Sequence, residues 1–152
     1  MKKHEIIDGC TDYPVGHNIV KNLPIIKNMG NAIIEILIKY YNPIECVILF
    51  CKGSSGAIIS AIVSDMIISK LNIHVDIYHI KKEGEKSHQY NSLPAINSVT
   101  KLIIIDDFID TGSTIQSIIN ELVGYDRLDI LCVTGDKTIQ FEDNFDHIIQ
   151  SI

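Results

Sequence analysis

The hydrophobic pattern of this chain alternates between short continuous apolar runs and longer stretches with helical spacing. Runs typical of strands covered on both faces are Cys46–Phe50 and Leu102–Ile105. His74–Ile80 alternates loosely and predicts a strand that enters a loop, and Asp129–Val133 and His147–Ile152 predict two further strands. Helical spacing extends over Ile25–Tyr40, Ala57–Leu71 and Ile115–Val123. This alternation predicts a single α/β domain over residues 1–152, with a mostly parallel twisted sheet flanked by helices.

Capping and breaking residues set the expected boundaries. Asn22 and Pro24 predict a helix start, and Asn42-Pro43 predicts its end. The first stretch, to about Leu23, mixes Gly, Pro, Asp and His and is expected to be irregular. The polar residues 81–92 follow a strand and predict a loop.

Composition and charge exclude several classes of protein. The chain has 152 residues, 46% hydrophobic and 21% charged, which is typical of a soluble globular domain. No apolar run reaches the ~20 residues needed to span a bilayer, and the N-terminus lacks a signal-peptide core. We therefore expect a cytoplasmic protein without membrane partners. A net charge of −6 with one arginine, Arg127, argues against nucleic-acid binding.

The four cysteines have no Cys-x-x-Cys spacing and no paired histidines. They are Cys10, Cys46, Cys51 and Cys132. Reduced thiols are the expectation, rather than disulfides or zinc ligands.

The segment from Leu102 to Thr114, LIIIDDFIDTGST, carries the most chemistry. Asp106 and Asp107 stand where a buried strand ends, and Thr111–Thr114 leads into a helix. Ligands of open α/β sheets bind at the carboxyl ends of strands, and free N–H groups at a helix start attract phosphate. Two carboxylates would repel a bare phosphate, but they suit hydroxyls or a bridging metal ion. A phosphorylated sugar fits both halves of the motif.

This segment resembles the phosphoribosyl-pyrophosphate signature of the type I phosphoribosyltransferases along its whole length. The resemblance implies a fold of that type with a small base-recognition hood, for which about 1–24 and 134–146 are available. It implies that Asp106 and Asp107 contact the ribose hydroxyls, with Mg²⁺ nearby and held indirectly. The 5′-phosphate would be bound by Thr111, Gly112, Ser113 and Thr114.

A second segment, Cys51–Gly56, lies between a predicted strand and a predicted helix. It resembles the pyrophosphate loop of the same family, because small residues let amides approach an anion and a lysine supplies charge. The implied binding residues are Lys52, Gly53, Ser54, Ser55 and Gly56. Lys-Gly here is similar to the hypoxanthine-guanine branch, in which the residue pair before the glycine forms a cis peptide. Taken alone, the segment also fits a glycine-containing turn capped by serine.

The polar stretch KKEGEKSH, residues 81–88, fits an ordinary solvated loop when taken alone. In the family a mobile loop at this place closes over the active site and excludes water. Its pattern is similar to the orotate branch, and that likeness nominates Lys82, Lys86 and His88 as lid contacts. The sequence does not show which lysine reaches the pyrophosphate.

Asp110 gives the opposite indication about the acceptor base. In the 6-oxopurine branch an aspartate at this position lies near the base and is the candidate general acid or base. A loop carboxylate that caps the following helix is the alternative. Phe141, Phe145 and Lys137 could contact a base in the hood, although core packing is the favoured explanation for the aromatic residues.

The resemblance therefore implies Mg²⁺-dependent transfer of phosphoribosyl from phosphoribosyl pyrophosphate to a nucleobase. The products would be a nucleoside 5′-monophosphate and pyrophosphate. A 6-oxopurine is narrowly favoured over orotate as the acceptor. Family members usually form homodimers, and some regulate instead of catalysing. A non-catalytic phosphoribosyl-pyrophosphate-binding module is the alternative hypothesis.

Overall fold

The computed structural model describes residues 3–7, 18–80, 97–122, 124–125, 128–135 and 138–151. The strands run in chain order as β1 Lys3–Ile7, β2 Cys46–Lys52, β3 His74–Ile80, β4 Thr100–Ile105, β5 Leu128–Thr134 and β6 Phe145–Ser151. The helices are α1 Leu23–Tyr40, α2 Gly53–Leu71 and α3 Ser113–Glu121, with a short 3₁₀ turn at Ile139–Phe141.

All of these strands belong to one sheet, in the order β1-β6-β5-β4-β2-β3, and every neighbouring pair is parallel. The chain moves outward from β2 to β3 and then returns to β4 on the other side of β2. The strand order therefore reverses between β2 and β4. This reversal creates a crevice at the carboxyl ends of these two strands, the place where ligands bind in open α/β sheets.

Alternate side chains of each central strand pack on opposite faces of the sheet. In β2, Val47, Leu49 and Cys51 join the cluster that α1 and α2 cover. Ile48 and Phe50 join the cluster that α3 covers on the other face. Burial on both faces explains why these strands are continuous apolar runs. The α/β class, the parallel sheet and the helices on both faces are confirmed.

Helix α1 begins and ends close to the predicted residues, but its start is not capped as expected. Pro24 lies in the first turn, and the helix ends at Tyr40, before the cis Asn42–Pro43 peptide. Asn22 forms no side-chain cap bond; its Nδ2 instead donates to the carbonyl of Asn18 at 3.0 Å. This donation orders the turn that enters the helix.

Helix α2 begins at Gly53, four residues before the predicted Ala57. By length and composition it is the one helix in the described part of the chain that could cross a membrane. In this fold Ile59, Val63 and Ile67 are fully buried against the sheet and α1. That packing is compatible with a soluble protein.

The prediction that the chain is irregular up to about Leu23 was wrong for Lys3–Ile7. These residues form β1, which pairs with β6 along Lys3↔His147 to Ile7↔Ser151. A strand of five residues carries too little periodicity to be recognised, and the free edge of β6 supplies its hydrogen-bond partners. Within the N-terminal hood segment, residues 3–7 are therefore an edge strand. It lies three strands away from β4.

Candidate functional site

The turn from β4 into α3 forms an open pocket at the carboxyl edge of the sheet. Its lining comprises Asp106, Phe108, Ile109, Asp110, Thr111, Gly112, Ser113, Thr114 and Ile115. The predicted phosphate segment and two of the predicted carboxylates therefore meet in one concavity. It adjoins the reversal point of the strand order.

Gly112 shapes the start of α3 within this pocket. Its φ of +87° lies in the left-handed region, and it precedes the first helical residue. A Cβ on Gly112 would lie 2.6 Å from Nε2 of Gln140 and 2.9 Å from Cζ of Phe141. The N–H groups of the first helical turn have no intrahelical acceptor, so they form a positive end that faces the pocket. This arrangement suits a phosphate group.

The two adjacent carboxylates have different environments. Asp106 is only 5% exposed, and its Oδ1 accepts a hydrogen bond from the backbone N–H of Asp107 at 2.9 Å. Its own N–H continues the sheet by donating to the carbonyl of Cys132 at 3.1 Å. Asp107 is half-buried, and Asp110 is exposed at the pocket. Asp106 is therefore fixed, whereas Asp110 is open to solvent and ligand.

Asp106 also affects the pKa of Cys51, in the neighbouring strand β2. Burial, reinforced by the charge of Asp106, raises the pKa of the Cys51 thiol to about 11. Cys51 is fully buried near the end of β2. It is therefore a protonated core thiol at neutral pH and not a nucleophile.

Lys52 is the last residue of β2, and its side chain extends toward α3. Its Nζ donates to Oγ of Ser117, a residue of α3, at 2.7 Å. The structure therefore brings the lysine of the second predicted segment next to the helix of the first. Ser117 was not among the predicted site residues, because 65 positions separate it from Lys52 in the sequence.

Gly53 to Gly56 form the first turn of α2 and not a separate loop. A Cβ on Gly56 would lie 3.2 Å from Cβ of Cys51 and 4.0 Å from the carbonyl oxygen of Ile105. The small residue lets the helix start approach the ends of both β2 and β4. Ser54 and Ser55 are exposed and half-buried, respectively. Among the described residues the cis peptide is Asn42–Pro43, so the Cys51–Lys52 bond is trans, unlike that of the hypoxanthine-guanine branch.

Thr134, the last residue of β5, and Gln140 hold the turn between β4 and α3 in place. The sequence analysis gave neither residue this role. The Thr134 hydroxyl donates to the carbonyl of Asp107, and its own carbonyl accepts from the N–H of Ile109 at 3.1 Å. Gln140 Nε2 donates to the carbonyl of Thr111 at 3.3 Å. The only available signal was that Thr134 ends a strand at the same edge.

The predicted lid and hood contribute little to the described geometry. Lys82, Lys86 and His88 lie outside the described residues, as does Lys137. The strand that precedes the lid segment, β3, ends at Ile80 at the carboxyl edge. Phe141 and Phe145 are each 2% exposed and pack in the α3-side core. Core packing, the interpretation favoured for these aromatic residues, is therefore confirmed, and the rings do not stack on a base.

Asp106 and Asp107 have the donor chemistry for a magnesium ion. Mg²⁺ binds carboxylate oxygens and substrate phosphates while it retains several waters. Asp107 is the more accessible of the two, since Asp106 is buried and already accepts a hydrogen bond. These residues fit an ion shared with a phosphorylated ligand.

A scan against protein-family models and a search of curated proteins both found no match to this chain.

Proposed function

We propose that the protein transfers phosphoribosyl from phosphoribosyl pyrophosphate to a nucleobase. The observation that carries this proposal is the pocket itself. A helix start suited to phosphate lies with Asp106 and Asp110 in one pocket at the reversal point of a parallel sheet, and Asp107 directly follows Asp106 in the chain. A ligand for such a site carries an anionic group and hydroxyls a few ångströms apart, and a sugar phosphate has both.

We assign the roles of the donor-binding residues from the resemblance, and their environments in the fold support the assignment. Thr111–Thr114 would hold the 5′-phosphate through the amides of the first turn of α3 and the Thr and Ser hydroxyls. Asp106 and Asp107 would bind the ribose hydroxyls and stabilise positive charge at the anomeric carbon as the pyrophosphate departs. Lys52 and the start of α2, Gly53–Gly56, would bind the pyrophosphate. The start of α2 and one lysine supply its counter-charge.

Lys52 would have to exchange its hydrogen bond partner to reach pyrophosphate. Its Nζ is bonded to Ser117 Oγ at 2.7 Å. The exchange replaces a neutral acceptor with an anionic one, which adds Coulombic attraction to the Lys52 ammonium. Ser117 therefore keeps the lysine oriented toward α3 until the donor arrives.

Magnesium and the lid complete the proposal. When bound, Mg²⁺ would neutralise part of the pyrophosphate charge beside Asp106 and Asp107. Lys82, Lys86 and His88 would close over the donor and exclude water, and Asp110 would exchange a proton with the base. A 6-oxopurine remains the favoured acceptor, with orotate second. We further propose a cytoplasmic homodimer.

The test is pyrophosphate release from phosphoribosyl pyrophosphate, Mg²⁺ and a panel of purine bases and orotate. We expect release with one class of base, and loss of turnover in the double variant Asp106→Asn with Asp107→Asn. Asp146→Asn is the matched control, because Asp146 is an exposed aspartate of β6. Full turnover in the double variant would refute the mechanism. Donor binding without release for any base would identify the alternative, a non-catalytic regulatory module.

The acceptor assignment has its own variant. Asp110→Asn keeps the size and exposure of the side chain and removes its proton chemistry. We expect a loss of kcat with a purine of about a hundredfold, the low end of general acid–base effects. Unchanged turnover with a purine would remove Asp110 from the mechanism without affecting the donor site.

A further inference from the structure

Three side chains with metal-binding atoms lie together at the opposite edge of the sheet from the pocket. Cys46 is the first residue of β2, and its partner in the parallel register is His74, the first residue of β3. Asp76 is two residues further along β3 and therefore points to the same face as His74. The strand pairing itself brings the three side chains together.

The donor atoms are already close to one another. The sulfur of Cys46, a ring nitrogen of His74 and a carboxylate oxygen of Asp76 all lie within 4.8 Å of each other. His74 Nε2 and Asp76 Oδ1 are 3.0 Å apart. Ligands of a tetrahedral zinc ion are separated by about 3.4–3.8 Å, given zinc–ligand bonds of about 2.0–2.3 Å. Side-chain shifts of roughly 1 Å would bring these atoms into that geometry.

We propose that Cys46, His74 and Asp76 form a binding site for a zinc-type transition-metal ion. Thiolate, imidazole and carboxylate are the three ligand types that Zn²⁺ takes, whereas Mg²⁺ and Ca²⁺ take oxygen alone. Three protein ligands leave a fourth position for water. The sequence did not indicate this site, because Cys46 and His74 lie 28 positions apart and share no local motif.

The surroundings of the site allow an ion to enter and to remain. The His74 and Asp76 side chains are 67% and 41% exposed, so solvent reaches them. Cys46 is half-buried and packs against the α3-side core, which shields the sulfur from one side. The ion would link β3, the edge strand of the sheet, to β2. Holding the edge strand in this way stabilises the folded state by mass action.

The site is independent of the proposed transferase activity. Strand β2 runs from Cys46 to Lys52, so its two ends lie about 20 Å apart at the usual rise per residue. The ligand sets also differ, since the pocket offers carboxylates only. A metal in the second site is therefore expected to affect stability and not turnover.

Cobalt binding to the metal-stripped full chain, under a non-thiol reductant, tests the site directly. Co²⁺ occupies zinc sites and absorbs light, and a thiolate ligand adds a charge-transfer band in the near ultraviolet. We expect this band to saturate at one equivalent of Co²⁺ and to disappear when Zn²⁺ is added. Zn²⁺ should also raise the Tm.

Four variants distinguish ligation from surface charge. Cys46→Ser should abolish the charge-transfer band, and His74→Gln or Asp76→Asn should weaken Co²⁺ binding at least about tenfold. Glu45→Gln removes an exposed carboxylate next to Cys46 and should bind Co²⁺ like the unmodified chain.

Several outcomes would overturn the site. They are a missing band at one equivalent, a band that survives Cys46→Ser, and equal weakening in the Glu45→Gln control. Because His74 is exposed, His74→Gln remains a test if Cys46→Ser does not fold. The double variant of Asp106 and Asp107 should keep the cobalt site, so failure of one proposal is separate from failure of the other.

Discussion

The two strand-to-helix junctions beside the reversal point, β2 to α2 and β4 to α3, differ in the length of the connecting segment. Strand β2 passes directly into α2, with Lys52 followed at once by Gly53. Strand β4 is separated from α3 by residues 106–112. Of the two, only the second junction lines the pocket. The inserted turn is what makes room for a ligand.

The two junctions also carry complementary charge. The first presents a lysine and a helix start, both positive, and the second combines a helix start with carboxylates. A ligand with anionic groups at its ends and hydroxyls between them satisfies both junctions at once. The closely packed first junction and the open turn of the second junction would therefore contact different parts of the same ligand. Each can be tested by substitutions that alter one junction alone.

Gly112→Ala should have the largest effect, because it changes the open junction in two ways. A left-handed backbone costs a non-glycine residue about 1–2 kcal/mol, and the new Cβ would lie 2.6 Å from Gln140 Nε2 and 2.9 Å from Phe141 Cζ. Overpacking adds about 1–3 kcal/mol. We expect the free energy of unfolding to fall by roughly 2–5 kcal/mol, measured in urea titrations followed by far-ultraviolet circular dichroism.

Gly124→Ala is the matched control for that change. Within the described part of the chain nothing lies within 4 Å of a Cβ placed on Gly124, and its φ is not positive. Its free energy of unfolding should stay within about 0.5 kcal/mol of the original, or rise slightly. Equal effects of the two substitutions would mean that the Gly112 turn is not constrained as described.

The pH dependence of stability tests the contact between the junctions at Cys51. Burial and the Asp106 charge raise the pKa of this thiol from 9.0 to about 11. Above pH 9 the unfolded chain loses the thiol proton while the folded chain keeps it, so stability falls as pH rises toward 11. The loss should reach roughly 2–3 kcal/mol, at about 1.4 kcal/mol per pKa unit.

Cys51→Ala isolates this contribution from the other groups that titrate at high pH. The variant has no thiol, so its stability should fall less steeply between pH 9 and pH 11. The measured quantity is the difference in free energy of unfolding between the two proteins at each pH. If that difference does not change over this range, the raised pKa of Cys51 is wrong.

The sequence predicted what depends on local pattern and missed what depends on tertiary contact. The continuous apolar runs of β2 and β4 predict buried strands without support from the rest of the fold. Asp106 directly follows β4, so its place at the carboxyl end of a strand was predictable as well. The start of α2 was misplaced because Gly53 and Gly56 are poor helix formers, and close packing against β2 and β4 outweighs that preference. The Lys52–Ser117 bond and the Cys46–His74 pair join distant positions, which no single-sequence pattern reveals.

Gly56→Ala tests the closely packed junction with the same chemical change as Gly112→Ala. A Cβ here would lie 3.2 Å from Cβ of Cys51, so the helix must move away from the sheet by a few tenths of an ångström. Overpacking costs about 1–3 kcal/mol, and better helix propensity offsets up to about 1 kcal/mol of it. We expect a net loss of roughly 1 kcal/mol in the same urea titration. A loss as large as that of Gly112→Ala would contradict the contrast between the junctions.

Thr134→Val should have the smallest effect, and it acts on the open junction from outside the pocket. The Thr134 hydroxyl donates to the carbonyl of Asp107, and valine keeps the shape of the side chain while removing that donor. Losing one hydrogen bond costs about 1 kcal/mol. Thr134→Ser restores the hydroxyl that donates the hydrogen bond, although it removes a methyl group from a buried position. It should therefore recover any loss in the binding of phosphoribosyl pyrophosphate. If the serine variant binds phosphoribosyl pyrophosphate as poorly as the valine variant, Thr134 contributes through packing and does not position the carboxylate turn through its hydroxyl.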